Sequence, residues 1–160
     1  MVPVKLKDVV SEIELHADDS ENNWRAWFDK RDGKFYSFET RHLAIAEDDY
    51  IGEPHLAKWE LEIIEDAKAF NERWDSDFLV ELPDKYEINE YDIMEEYCES
   101  QPDVIADQLF EAIRGRGAFR FFRSTVQRLR LTDDWYKFRD NAMIEKARRW
   151  CELNEIEYIK

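Results

Sequence analysis

The sequence predicts an α+β fold in a single compact domain spanning residues 1–160, with a small antiparallel sheet (a hairpin plus a short third strand) in the first half and a helical second half. Three observations predict it. The segments WRAWFD and KFYSFE are rich in aromatic residues and flank a turn containing Asp32-Gly33, the pattern of a β-hairpin over 24–29 and 34–39. Through most of the remaining chain, apolar residues recur in steps of three and four, the period of an amphipathic helix. At 160 residues and 44% apolar content, the chain is long enough for one core.

Taken in order, Leu6, Val9, Val10 and Ile13 place a helix near 4–14. The stretch HLAIAEDDYIGEP after the hairpin carries no clear period. Pro54 can open a helix running to about residue 74, whose apolar residues would be Leu56, Trp59, Ile63, Ala67, Phe70 and Trp74. FLVEL, 78–82, fits a short strand beside the hairpin. Asn89 with Asp92 marks a helix start, continuing to about Glu99. Pro102 sits in the first turn of the next helix, lined by Ile105, Leu109 and Ile113 and stopped at Gly115. Helices over 118–130 and from Thr132 to about Leu153 follow, with Asn154 suited to a left-handed C-terminal position.

The net charge is −15, which sets the chain against general binding of phosphate backbones. Residues 114–149 depart from this average, with eleven Lys/Arg against four Asp/Glu, a local +7 that leaves −22 on the other 124 residues. Docking of that basic island against acidic residues within the fold would leave only part of it exposed. MVPVKLKDVV lacks the apolar core of a signal peptide and no apolar run approaches the ~20 residues of a membrane span, so the expected location is cytoplasmic, with no membrane partner. Cys98 and Cys151 form no C-x-x-C pair and read as fillers of apolar gaps.

Within GRGAFRFFRSTVQRLRL, helical winding places Phe119 and Phe122 on the apolar face with Val126 and Leu129 and leaves Phe121 outside it, beside arginines. Arg116, Arg120, Phe121 and Arg123 are therefore the candidate partner-binding residues, and an exposed aromatic among arginines suits a base or a partner's side chain. The GRG corner offers backbone N–H groups next to Arg116 and Arg120 but lacks the lysine and Ser/Thr of a P-loop. In the last helix Arg139 and Lys146 share a face with Trp135, Met143 and Trp150. Arg139 is expected in a structural ion pair with Glu95, Glu96 or an acid of 103–111, tying its helix to the GRGAFR corner, and Lys146 to extend its head group to water.

The stretch GRGAFRFFRSTVQRLRLTDDWYKFRDNAMIEKARRWCELNEI resembles the carboxy-terminal half of a bacterial uncharacterised protein family with G-x-G-A-F-R-x-F, W-Y-x-F-R and A-x-x-W signatures. ELPDKYEINEYDIMEEY resembles the middle of that family and WFDKRDGKFYSF its beginning. The resemblance implies a one-domain fold and brings no activity, cofactor or catalytic residue. Phe121 stands where that family's pattern would carry arginine.

His16, His42 and His55 are the histidines, with no H-E-x-x-H, no paired Cys/His set and no G-x-S-x-G, so no catalytic residue is assigned. His16 beside ADDSE reads as a surface histidine. Asp18, Asp19 and Glu21, or Glu47, Asp48 and Asp49, lack the alternation of a calcium loop, and neither metal nor cofactor is expected. The function expected is a non-enzymatic binding module, monomeric or weakly dimeric, holding an acidic protein, an RNA or a nucleotide at 114–130. The alternative is a hydrolase or transferase whose arginines contact a phosphate-containing substrate.

Overall fold

In the computed structural model, which describes residues 2–17, 23–47, 55–84 and 87–160, the chain is α+β, with its three-stranded antiparallel sheet early and helices after it. It divides into two units. The first comprises Met1–Lys85 with Trp150–Lys160, and the second Tyr86–Arg149.

The first unit contains β1 (Val4–Lys5), α1 (Leu6–Ala17), β2 (Trp24–Asp29), β3 (Lys34–Glu39), α2 (Thr40–Glu47), α3 (Lys58–Glu72), β4 (Leu79–Glu81) and β5 (Tyr158–Ile159). The hairpin has the bounds its aromatic alternation predicts, pairing Trp24 with Glu39 through Asp29 with Lys34. Gly33 closes the turn at φ +70°, donating its N–H to Asp29 O at 2.8 Å. A Cβ there would sit 2.7 Å from Val2 Cγ1, so glycine is needed for space as well as for backbone angle. FLVEL supplies β4, which pairs antiparallel with β2 and makes β2 the central strand. Its centrality explains why Ala26, Trp27, Phe28 and Asp29 are all buried rather than alternating.

Three features differ from the sequence expectation. Val4–Lys5 is a strand pairing in parallel with Tyr158–Ile159, and α1 begins only at Leu6, burying Leu6, Val9 and Ile13. The stretch without a clear period forms α2, which buries His42, Leu43, Ile45 and Ala46. In α3 the inner face is Glu60, Ile64, Ala67 and Phe70, whereas Trp59 and Trp74 are 58% and 50% exposed. The apolar stripe is turned by about one residue from the one drawn through the tryptophans. Pro54, expected to open this helix, lies outside the described residues.

The second unit is built from α4 (Glu90–Ser100), α5 (Asp103–Ile113), α6 (Ala118–Arg128) and the part of α7 (Thr132–Leu153) up to Arg149. Asn89 caps α4 by accepting the Asp92 N–H at 2.9 Å. Its core is aromatic: Tyr97 packs edge-on against Phe122, Trp135 and Phe138, and Phe122 against Trp135 at 4.8 Å. The Tyr97 hydroxyl, fully buried, donates to Asp134 Oδ2 at 2.8 Å. Burial first and Asp134 second push its pKa upward. At the end of α7 it is Glu155, not Asn154, that takes the left-handed conformation (φ 55°), while Asn154 Nδ2 donates to Trp150 O at 2.8 Å.

Candidate functional site

The candidate site lies on α6 and the corner before it. Gly115 (φ +88°) and Gly117 (φ +74°) turn the chain between α5 and α6, and Tyr91 Oη donates to Ile113 O at the end of α5. Gly117 brings Phe121 close, since a Cβ at 117 would meet its ring at 3.1 Å. Ala118, Phe122 and Val126 form the buried stripe of α6. Phe119 is 51% exposed and Phe121 48%, so Phe122 alone of the three phenylalanines is core. Phe119 lies at the edge of the stripe, where apolar content alone does not decide burial.

Arg114, Arg116, Arg120, Arg123, Arg128 and Arg130 are all exposed. Further along the basic island, Arg139, Lys146 and Arg148 are partly covered and paired with Glu90, Glu96 and Glu145, so the covered part lies in α7 and the exposed part at 114–130. Arg114 pairs with Glu111 at 3.3 Å, and Arg128 donates from both terminal nitrogens to Gln108 Oε1 at 3.2 Å. Arg120 lies over the Phe121 ring at 5.3 Å. Among the described residues, Arg116, Arg120 and Arg123 show no salt bridge. Arg120 and Arg123 share the outer side of α6 with Phe119, while Phe121 lies on the opposite flank, beside a shallow groove of about 650 Å³ between α5 and α6 that Asp107, Glu111 and Arg128 also line. Of the four predicted partner-binding residues, Arg116 thus stands in the corner before α6, and Arg120, Phe121 and Arg123 on the helix itself.

Arg139 Nε donates to Glu90 Oε1 at 3.2 Å, joining α7 to the first residue of α4 rather than to Glu95, Glu96 or the GRGAFR corner. Lys146 takes Glu96, at 3.5 Å. The Arg139 side chain is 24% exposed and that of Glu90 41%, so the pair is partly hydrated. Arg139→Met is therefore expected to lower stability by about 1 kcal/mol, well short of the cost of a buried pair. Urea denaturation checks this, and a loss beyond about 3 kcal/mol would show a fully buried role.

The sequence reading passed over a second cluster. His42 Nε2 lies 3.1 Å from Glu60 Oε2, to which Arg41 Nη2 also bonds. The His42 hydrogen bond, supported by the Ala57 amide and Arg41, holds the Glu60 carboxyl below its usual range against the opposing effect of burial. The signal was present, as a glutamate standing in line with Ile64, Ala67 and Phe70. At 1% exposure, the His42 ring offers substrate no access in this structure. His16 stacks on Trp24 at 5.2 Å.

Burial raises the thiols of Cys98 and Cys151 to about 11, which keeps both protonated at neutral pH. No group of three or more potential metal ligands occurs among the described residues; Asp18, Asp19, Glu21, Asp48 and Asp49 lie outside them. No helix among the described residues is long and apolar enough to cross a membrane. No family model, curated protein or solved structure matches the chain.

Proposed function

We propose that the chain is a non-enzymatic binding module whose α6 face holds a short acidic segment of a protein partner. One observation carries the reading: Arg116, Arg120 and Arg123 stand exposed with no salt bridge among the described residues, in a chain whose 38 acids outnumber its 23 Lys/Arg. With acids in such excess, internal pairing is the easy fate of an arginine. Arg120 and Arg123 follow one another at about one helical turn on α6, and Arg116 stands in the corner just before it, so the guanidinium forks are enough for two or three carboxylates. Phe119 beside them offers apolar contact. The charge of −15 works against a long polyanion, which would run past the three arginines onto acidic surface, and so favours a short acidic peptide over RNA or a nucleotide.

Fluorescence anisotropy with a labelled Asp/Glu-rich peptide and with an oligouridine tests it. The peptide is expected to bind at low salt, with affinity falling steeply toward physiological ionic strength. Replacing Arg116 and Arg120 together by alanine should cost about tenfold or more, with stability changed by no more than about 0.5 kcal/mol. Absence of peptide binding, or tighter binding of the oligouridine, overturns the reading. Turnover of a phosphate ester lost in the same variant would replace it with the hydrolase or transferase.

A further inference from the structure

The first unit contains an open cavity of about 780 Å³, within the ~300–1,000 Å³ typical of small-molecule sites, lined from α2, the second half of α3 and β2. Leu43, Ala46 and Phe70 close its floor and are nearly covered, so what it offers a ligand includes Trp74, which is half exposed, and the exposed Ala44, Glu47 and Glu72. Trp74 is braced by edge-on neighbours, its ring 86° from Trp27 at 6.1 Å and 80° from Phe70 at 5.9 Å. Trp27 is covered, and Arg25 already lies over its ring at 5.1 Å, which leaves Trp74 as the aromatic surface open to a ligand.

Charge selects the ligand class. Glu47 is the last residue of α2 and Glu72 the last of α3, and neither helix has a basic side chain in its last turn. Two helix C-termini, each the negative end of its macrodipole, thus bring two carboxylates to one cavity. Neither glutamate makes an ion pair among the described residues, whereas the nearby cations have other acids. Arg25 makes a bidentate pair with Glu81 at 2.8 and 3.0 Å, and Glu47 acts on it only as a more distant charge. Lys68 lies 3.9 Å from Glu65, and Arg73, just past α3, is turned to Asp29 and Asp32. An anion would be repelled here, and by the chain's −15 as a whole. A neutral ligand would strip water from two carboxylates without replacing it. A bare metal ion would lack ligands, since no group of three potential metal ligands occurs among the described residues. What fits is a cation with a carbon stem, and an indole face is the strongest of the aromatic surfaces for an ammonium.

We infer that this cavity binds a protonated alkylamine, free or as the side chain of a lysine, its ammonium drawn by Glu47, Glu72 and the Trp74 ring and its stem lying along Ala44 and the apolar floor. The site is separate from the arginines of α6 and does not rest on the reading given to them.

Titration of the full ¹⁵N-labelled chain with pentylamine and with Nα-acetyllysine methylamide, followed by NMR, tests it. At least one is expected to shift the Trp74 indole resonance saturably, with Kd between about 10 µM and 1 mM. Tighter binding of pentylamine assigns the site to a free amine, and tighter binding of the lysine derivative to a lysine side chain. Pentanol, of the same length without the charge, should bind at least about tenfold more weakly. Replacing Glu47 and Glu72 together by glutamine should cost about tenfold, and because both are exposed the melting temperature should stay nearly unchanged. Glu62→Gln with Asp66→Asn removes the same charge from exposed positions of α3 outside the cavity, and should change the affinity by less than about twofold. Trp74→Leu should weaken binding as well. Absence of saturable shifts with both amines up to about 20 mM overturns the inference, as does equal binding of pentanol. An equal loss in the two double variants overturns it too, since the amine would then be answering the net charge of the chain rather than this cavity.

Discussion

Asp29→Ala is expected to destabilise the protein by about 3 kcal/mol, chiefly by orphaning two guanidinium groups. Asp29 ends the central strand and is fully buried. Its carboxylate accepts the Arg31 N–H at 2.8 Å, Arg31 Nε and Nη2 at 2.9 and 2.8 Å, and Arg73 Nη2 at 2.7 Å. Arg73 is shared with Asp32 at 3.3 Å and donates to Tyr36 Oη, whose hydroxyl donates to Asp32 Oδ2 at 2.6 Å. The cluster thus fastens the hairpin turn to the end of α3. Both arginines remain about one-third exposed and can turn to water, which holds the expected loss at the lower end of the range for a broken buried pair.

The same network sets an acid limb. Burial alone would raise the Asp29 pKa, but the Arg31 hydrogen bonds and the charges of Arg31 and Arg73 outweigh it and hold the group below the usual 3.8. Burial likewise opposes a net lowering at Asp32, where Tyr36, the Lys34 amide and Arg73 prevail. A carboxyl whose pKa is lower in the folded state stabilises that state above the unfolded pKa, and the contribution is lost as pH falls through the folded value. Stability should therefore hold down to about pH 4 and fall below it, and Asp29→Asn should show a shallower fall. Urea midpoints between about pH 2 and 7 check this; an equally steep acid limb in Asp29→Asn would place the titrating groups elsewhere.

What was legible in the sequence is what local pattern determines. The hairpin was readable because aromatic residues on both sides of a glycine turn leave one register, and α7 because its apolar period runs on over six turns. The β1–β5 pair was not, because it joins residues more than 150 positions apart and two-residue strands carry no period of their own. Helix α2 was missed because it is only eight residues long and its buried face includes a histidine. The phase of α3 was misread because tryptophan was counted as interior, and with it went Glu60 and the partner of His42. In the candidate site, the arginines themselves were legible. Their exposure was not, since it depends on which acids of the fold come near them. Arg139 stood out as a charge in an apolar face, yet nothing local singled out Glu90 among so many acids.

Ending the chain at Arg149 is expected to abolish the folded first unit, because its last eleven residues complete a core that begins at residue 4. Trp150, Cys151 and Ile156 are buried at 7%, 0% and 4% exposure. Trp150 meets Phe28 of the central strand edge-on at 6.5 Å, and its indole N–H donates to Glu81 O at 3.0 Å. Val4 N–H donates to Glu157 O at 2.9 Å, Lys30 Nζ donates to Asn154 O at 2.6 Å, and among the described residues β1 pairs with β5 alone. Burial of two large apolar side chains stabilises by roughly 1.5–3 kcal/mol each, and the lost hydrogen bonds add about 1 kcal/mol apiece. The total, about 5 kcal/mol or more, equals the whole stability of a marginal domain. Hydrogen exchange is the decisive measurement. The β2 and β3 amides should lose their protection in the truncated chain and keep part of it in Trp150→Ala, where the β1–β5 pair survives and the loss is about 3 kcal/mol. Full protection of those amides after truncation would mean that residues 4–84 hold the sheet without the terminal segment.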